Sequence, residues 1–162
     1  MLILPNEGKI IKGIMDLKTQ FENSLREAMR SSNDIRKQTI RMVLASTRFA
    51  EIEKGAEIDE AGIFTILHKE IKSRRESIQD AEKAHRPDLI ESSLAEIAVL
   101  ESFLPQQLSN QEIITLAETV IAETQANGMA DMGRVMKGLV PRLQGRAPGD
   151  RVSQIVRQIL QK

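Results

Sequence analysis

The stretch DEAGIFTILHKEIKSRRESIQDAEKAHRP, residues 59–87, decides the fold class. Its apolar residues Ile63, Leu67, Ile71, Ile78 and Ala81 recur in steps of four, seven and three, which puts them on one face of an α-helix. A half-buried strand would alternate polar and apolar residues, and nothing here does. Asp59 is placed to cap the helix at its start, with the helix expected over about Glu60 to Ala84. Pro87 breaks it, because Arg86 before the proline is biased away from helix. The same proline suits the first turn of a following helix.

Working outward, every other segment with a period has the same one. Toward the N-terminus, a helix is expected over about Asp16 to Met29, with Leu17, Phe21, Leu25, Ala28 and Met29 on one face. A second, capped by Asn33 or Asp34, carries Ile35, Ile40, Val43, Leu44, Phe49 and Ile52, and Gly55 closes it. Toward the C-terminus, the helix opened by Pro87 carries Leu89, Leu94, Ile97, Ala98 and Leu100 and stops before Pro105. Ser109 followed by Glu112 is a capping box for a fifth helix ending near Asn127-Gly128. A short sixth helix is expected over Asp131 to Leu139, broken near Pro141, and Asp150 caps a last one built on Val152, Ile155, Val156, Ile159 and Leu160. The expected fold class is therefore all-α. An N-terminal helical domain over 15–104 is followed, across the Pro105 segment, by a smaller helical tail domain over 109–162. Residues 1–14, with Pro5, Gly8 and Gly13 and no period, are read as a poorly ordered leader.

Composition narrows the chemistry. The chain has 162 residues, 41% hydrophobic and 28% charged, the balance of a folded globular protein. With 23 basic and 23 acidic residues, no net field draws it to nucleic acid or lipid. The absence of cysteine removes disulfides, thiolate metal sites and cysteine nucleophiles, and it fits a reducing compartment, so a cytoplasmic location is expected. No apolar run is long enough to span a membrane, so no membrane partner is expected. Four phenylalanines and no tyrosine or tryptophan leave little for stacking on single-stranded bases. His68 and His85 have no ligands at metal spacing, no phosphate-binding loop occurs, and no serine has a nominated base. No catalytic residue, metal or cofactor is expected.

Two sets of basic residues remain as candidate sites. Arg74 falls on the seam of the helix over 60–84, with Arg75 beside it. It is either an ion-paired arginine, with Glu70 four residues back, or a partner-binding pair with Arg75. The second set is in the tail. Residues 106–133 hold four acids and no base, whereas residues 134–162 hold seven bases and Asp150 alone. Lys137, Arg142, Arg146 and Arg151 surround the turn that opens the last helix, whose N–H groups favour an anion. They are the candidate RNA-binding residues, and such binding would read phosphates rather than bases.

Four blocks carry a family resemblance: KEIKSRRESI at 69–78, SFLPQQLS at 102–109, DMGRVM at 131–136 and GRA at 145–147. With these, residues 15–162 resemble the YqeY proteins. The C-terminal part of that family is similar to the tail domain of the B subunit of glutamyl-tRNA(Gln)/aspartyl-tRNA(Asn) amidotransferase. The resemblance implies the GatB/YqeY two-part helical fold and an association with tRNA or other structured RNA. It also implies amidotransferase or tRNA-charging proteins as partners. It suggests a component of glutamine-dependent carbon–nitrogen ligase activity that needs partner subunits, although this chain shows no catalytic residue for it. A protein-interaction scaffold using the N-terminal helices is the remaining alternative. Two positions depart from the family pattern: family sequences begin near Met15, and His85 stands where a glycine is usual.

Overall fold

A computed structural model describes residues 16–162, and the leader expected over 1–14 lies outside the described residues. Among the described residues there are seven α-helices and no strand: α1 Leu17–Arg30, α2 Asp34–Lys54, α3 Glu60–Lys83, α4 Pro87–Glu101, α5 Asn110–Thr124, α6 Met132–Leu143 and α7 Gly149–Leu160. A single 3₁₀ turn, Met129–Asp131, precedes α6. The chain divides into two compact units between Phe103 and Leu104.

The helix starts follow from local chemistry. Asp16, Asn33 and Asp59 each accept a backbone N–H three residues on, at 3.0, 3.1 and 2.9 Å. Ser109 and Glu112 complete the capping box: Ser109 Oγ accepts from the Glu112 N–H at 3.2 Å, and the Glu112 carboxylate accepts from the Ser109 N–H at 2.8 Å. Gly55 ends α2 at φ 69°, the left-handed conformation that a β-carbon disfavours. Four non-glycine residues take the same conformation after a helix, among them His85 at φ 54°, so the left-handed turn after α3 is kept without the glycine.

In the N-terminal unit, α3 and α4 pack along each other, and α2 packs on α1, α4 and α3. The core contains Leu17, Phe21, Ile40, Val43, Ile63, Leu67, Ile71, Ile97 and Leu100. Burying a side chain the size of Leu67 contributes about 1.5–3 kcal/mol. Phe103 closes one end, edge-on to Phe21 with ring centres 4.6 Å apart, and the Arg36 guanidinium lies over its ring at 5.5 Å. In the C-terminal unit α5, α6 and α7 pack pairwise around Ile113, Ala117, Val120, Val135, Leu139, Val152 and Val156. Gly138 permits the close approach of α6 to α5, since a β-carbon there would stand 3.1 Å from Val120 Cγ1.

Several expectations are corrected. Ile35, Phe49 and Ile52 on α2, Met29 on α1 and Leu89 and Leu94 on α4 are exposed. Of the residues expected on the α2 seam, Ile40 and Val43 are buried, and Thr39 and Thr47 complete the stripe. Its two threonines are buried without penalty, because each hydroxyl donates at 2.8 Å to the carbonyl four residues back, Ile35 and Val43. Helix α5 stops at Thr124 with Gln125 in the left-handed conformation, short of Asn127-Gly128. Helix α6 runs through Pro141 to Leu143. The proline sits in the last turn, where it removes one backbone bond, while Val135, Leu139 and Leu143 hold the helix to the core. Helix α7 starts two residues early, at Gly149, with Pro148 as its N-cap residue in place of Asp150 and no side-chain cap; the Asp150 carboxylate accepts from the adjacent Arg151 N–H at 2.8 Å instead.

Candidate functional site

The four basic residues singled out in the tail do not form one cluster. Lys137 is exposed on α6. Arg142, five residues further on, points about 140° away around the helix. Its guanidinium pairs with the Glu123 carboxylate near the end of α5, one contact measuring 3.2 Å, and this partner raises its already high pKa. Arg146 and Arg151 lie at the opposite end of α5. Arg146 Nε donates to the Gln106 carbonyl at 3.2 Å, and Arg151 donates to Asn110 Oδ1 from Nε at 2.8 Å and from a terminal nitrogen at 2.5 Å. Asn110 and Glu123 are thirteen residues apart on one helix, which separates them by about 20 Å.

The Arg146–Arg151 end is built from backbone as much as from side chains. The Leu108 N–H donates to the Arg146 carbonyl at 2.7 Å, and Gln107 Nε2 donates to the Gly145 carbonyl at 3.1 Å. These bonds bring the N-termini of α5 and α7 together, each with the positive end of a helix dipole. The hydrogen bonds that hold Arg146 and Arg151 end on neutral oxygens, so neither bond cancels a charge. Glu112 faces this end. Its pKa is lowered chiefly by the bonds from Ser109, with a smaller contribution from the field of Arg146.

Arg74 and Arg75 differ in environment although they are neighbours. Arg74 is 8% exposed. Its Nε donates to Glu96 Oε2 at 2.9 Å, a terminal nitrogen pairs with the Glu70 carboxylate, and the other lies 3.6 Å from Met42 Sδ. Of the two readings of this arginine, its contacts are those of the ion-paired seam residue. Arg75 is exposed and reaches Glu101 Oε1 at 3.4 Å.

Among the described residues no group of three or more His, Cys, Asp or Glu is placed to hold a metal ion, and no helix is long and apolar enough to cross a membrane. Sequence reasoning missed the outward face of α2, where Ile35, Met42, Phe49 and Ile52 stand in solvent beside a groove between α1 and α2. The equal spacing of Ile35, Met42 and Phe49, seven residues each, was the available signal.

A family described as "Yqey-like protein" matches residues 18–160. The chain is 32% identical over 93 residues to "Altered inheritance of mitochondria protein 41, mitochondrial" of Lachancea thermotolerans, covering 57% of this chain and 50% of that protein. The protein of the same name from Vanderwaltozyma polyspora is 34% identical over 110 residues, 66% of this chain and 57% of the relative. The one from Pyrenophora tritici-repentis is 26% identical over 144 residues, 87% and 79%. The chain thus spans about half the length of the first of these relatives. The names correct the cytoplasmic location expected from the sequence, since these relatives are called mitochondrial. That expectation rested on missing cysteines, and a chain without thiols carries no mark of one compartment over another.

Proposed function

The chain belongs to the YqeY-like family, and from that membership we propose that it is a non-catalytic helical module that associates with tRNA or other structured RNA. On this reading the unit ending at Phe103 is the family's N-terminal helical domain, and the unit from Leu104 is the smaller GatB/YqeY-type tail. The observation that carries the reading is the pair Arg146 and Arg151. Both are held by neutral oxygens where two helix N-termini meet, an arrangement in which guanidinium groups and helix dipoles draw a phosphate while the Glu112 and Asp150 carboxylates stay engaged in their own N–H bonds. Lys137, on another part of the tail surface, adds a phosphate contact further along a large RNA. Arg142 serves less well, because its charge is spent on Glu123. In the N-terminal unit Arg75 is the partner-facing member of the Arg74–Arg75 pair.

Binding of this kind reads backbone shape and weakens with salt. The test is a titration of tRNA with the full chain at several salt concentrations. Replacing Arg146 and Arg151 by Gln weakens binding and flattens the salt slope by up to about two charges' worth. A double variant that binds as the parent does refutes the reading. Purification from cells with and without nuclease gives the second check. Amidotransferase subunits that stay bound after nuclease treatment mark a component of glutamine-dependent carbon–nitrogen ligase activity instead.

A further inference from the structure

The outward face of α2 departs from what a solvated helix presents. Ile35, Met42, Phe49 and Ile52 are 43, 44, 69 and 71% exposed. Ile35, Met42 and Phe49 follow one another at seven-residue steps and form a nearly straight row along the helix, drifting only about 20° per step. Ala45 and Ile52 lie next to that row on the helix, and Ala45, itself exposed, is the small residue among them. Large side chains in a row around a small one form the knobs and hole that an opposing helix fills.

One edge of this face is basic. Arg41 and Arg48 are also seven residues apart, which sets their charges about 10 Å from each other along the axis. Both are exposed, and neither forms an ion pair among the described residues. Arg48 also lines the groove of about 600 Å³ between α1 and α2, together with Leu44, Ala45 and Ile52 and with the carboxylates of Glu22 and Glu51, which have their own partners in Arg26 and Lys18. The row and the groove therefore meet on the C-terminal half of α2, with a cation at the junction.

We infer that this face of α2 is a docking surface for an amphipathic helix of another protein whose apolar stripe is edged with carboxylates. Charge selects that occupant. A second copy laid antiparallel so that the apolar rows interleave would bring Arg41 of one chain beside Arg48 of the other, and like charges in a desolvated rim oppose association. A nucleic acid would leave Phe49 and Ile52 uncovered. An acidic partner covers the apolar row and meets both arginines at once. This surface lies on the N-terminal unit, so the inference stands or falls independently of RNA binding by the tail.

The probes are two synthetic helices of about five turns, identical in their apolar stripe, one edged with Glu and the other with Lys, titrated against the full chain. The Glu-edged helix is expected to bind about tenfold more tightly, the gain that two rim charge pairs provide. Replacing Arg41 and Arg48 by Glu should reverse the preference, and Phe49→Gln with Ile52→Gln should abolish binding of both. Those positions are exposed, so the variants should retain the parent's melting temperature; if the apolar variant melts early, the charge reversal alone decides. Failure of the Glu-edged helix to bind, equal binding of both, or a preference unchanged by the charge reversal overturns the inference. So does sedimentation of the parent chain as a dimer that Phe49→Gln dissolves, which would make a second copy the occupant.

Discussion

Replacing Arg74 by Ala removes a guanidinium that ties together three helices: Glu70 on α3 itself, Glu96 on α4 and Met42 on α2. Breaking a buried ion pair by deleting one partner costs about 3–5 kcal/mol, mostly because the remaining charge is left uncompensated. Here the two carboxylates keep 20 and 30% of their side chains in contact with water, which relieves part of that penalty. The expected loss is therefore about 2–3 kcal/mol, or roughly 10–20 °C in the melting of a unit this size. Arg75→Ala is the internal control. Its pair with Glu101 is 64 and 51% exposed, and such pairs are worth less than about 1 kcal/mol. The triple variant Arg74→Met, Glu70→Gln, Glu96→Gln should recover most of the loss, since it removes all three charges and retains the volume. Thermal and urea unfolding followed by circular dichroism measure each variant. The reasoning fails if Arg74→Ala melts with the parent, if Arg75→Ala costs as much, or if the triple variant is no more stable than Arg74→Ala.

His85→Gly should stabilise the chain by about 0.5–1 kcal/mol, because His85 sits at φ 54° where glycine carries no β-carbon penalty; urea midpoints that fall or stay level refute this. Leu139→Ala empties a fully buried position in the core of the C-terminal unit and should cost about 2–5 kcal/mol, read by calorimetry, whereas a loss under about 1 kcal/mol would mean that this core collapses freely. The Asp88 carboxyl is held down to about 2, from an ordinary 3.8, chiefly by its bond from Arg86. A lowered folded pKa contributes stability above the unfolded value and loses it as pH falls through the folded one. Asp88→Asn should therefore be less stable than the parent at neutral pH, with the difference fading between about pH 4 and pH 2; a difference that persists at pH 2 refutes the assignment.

The helices and most of their caps were legible in the sequence because they depend on residues within one turn of each other. Asp16, Asn33, Asp59 and the Ser109–Glu112 box act on N–H groups three residues away, and no distant part of the chain is needed to place them. The seam Ile63, Leu67 and Ile71 was legible for the same reason, since the helical period is local. The four family blocks, spread from residue 69 to residue 147, and the basic excess of the last residues were also visible, as a pattern without geometry. Only the tertiary structure decided which apolar residues are covered. On α2 the periods through Ile40 and Val43 and through Met42 and Phe49 are both helical, and the neighbours chose the first, although it carries two threonines. The helical phase set Arg74 on the seam, but only the fold supplied its partners Glu96 and Met42, which come from other helices. The fold also divided the basic tail, drawing Arg142 to Glu123 and Arg151 to Asn110, at opposite ends of one helix. Periodicity follows from bonds within a single helix, whereas burial and pairing depend on which helix lies alongside, and that is set by the packing of the whole unit.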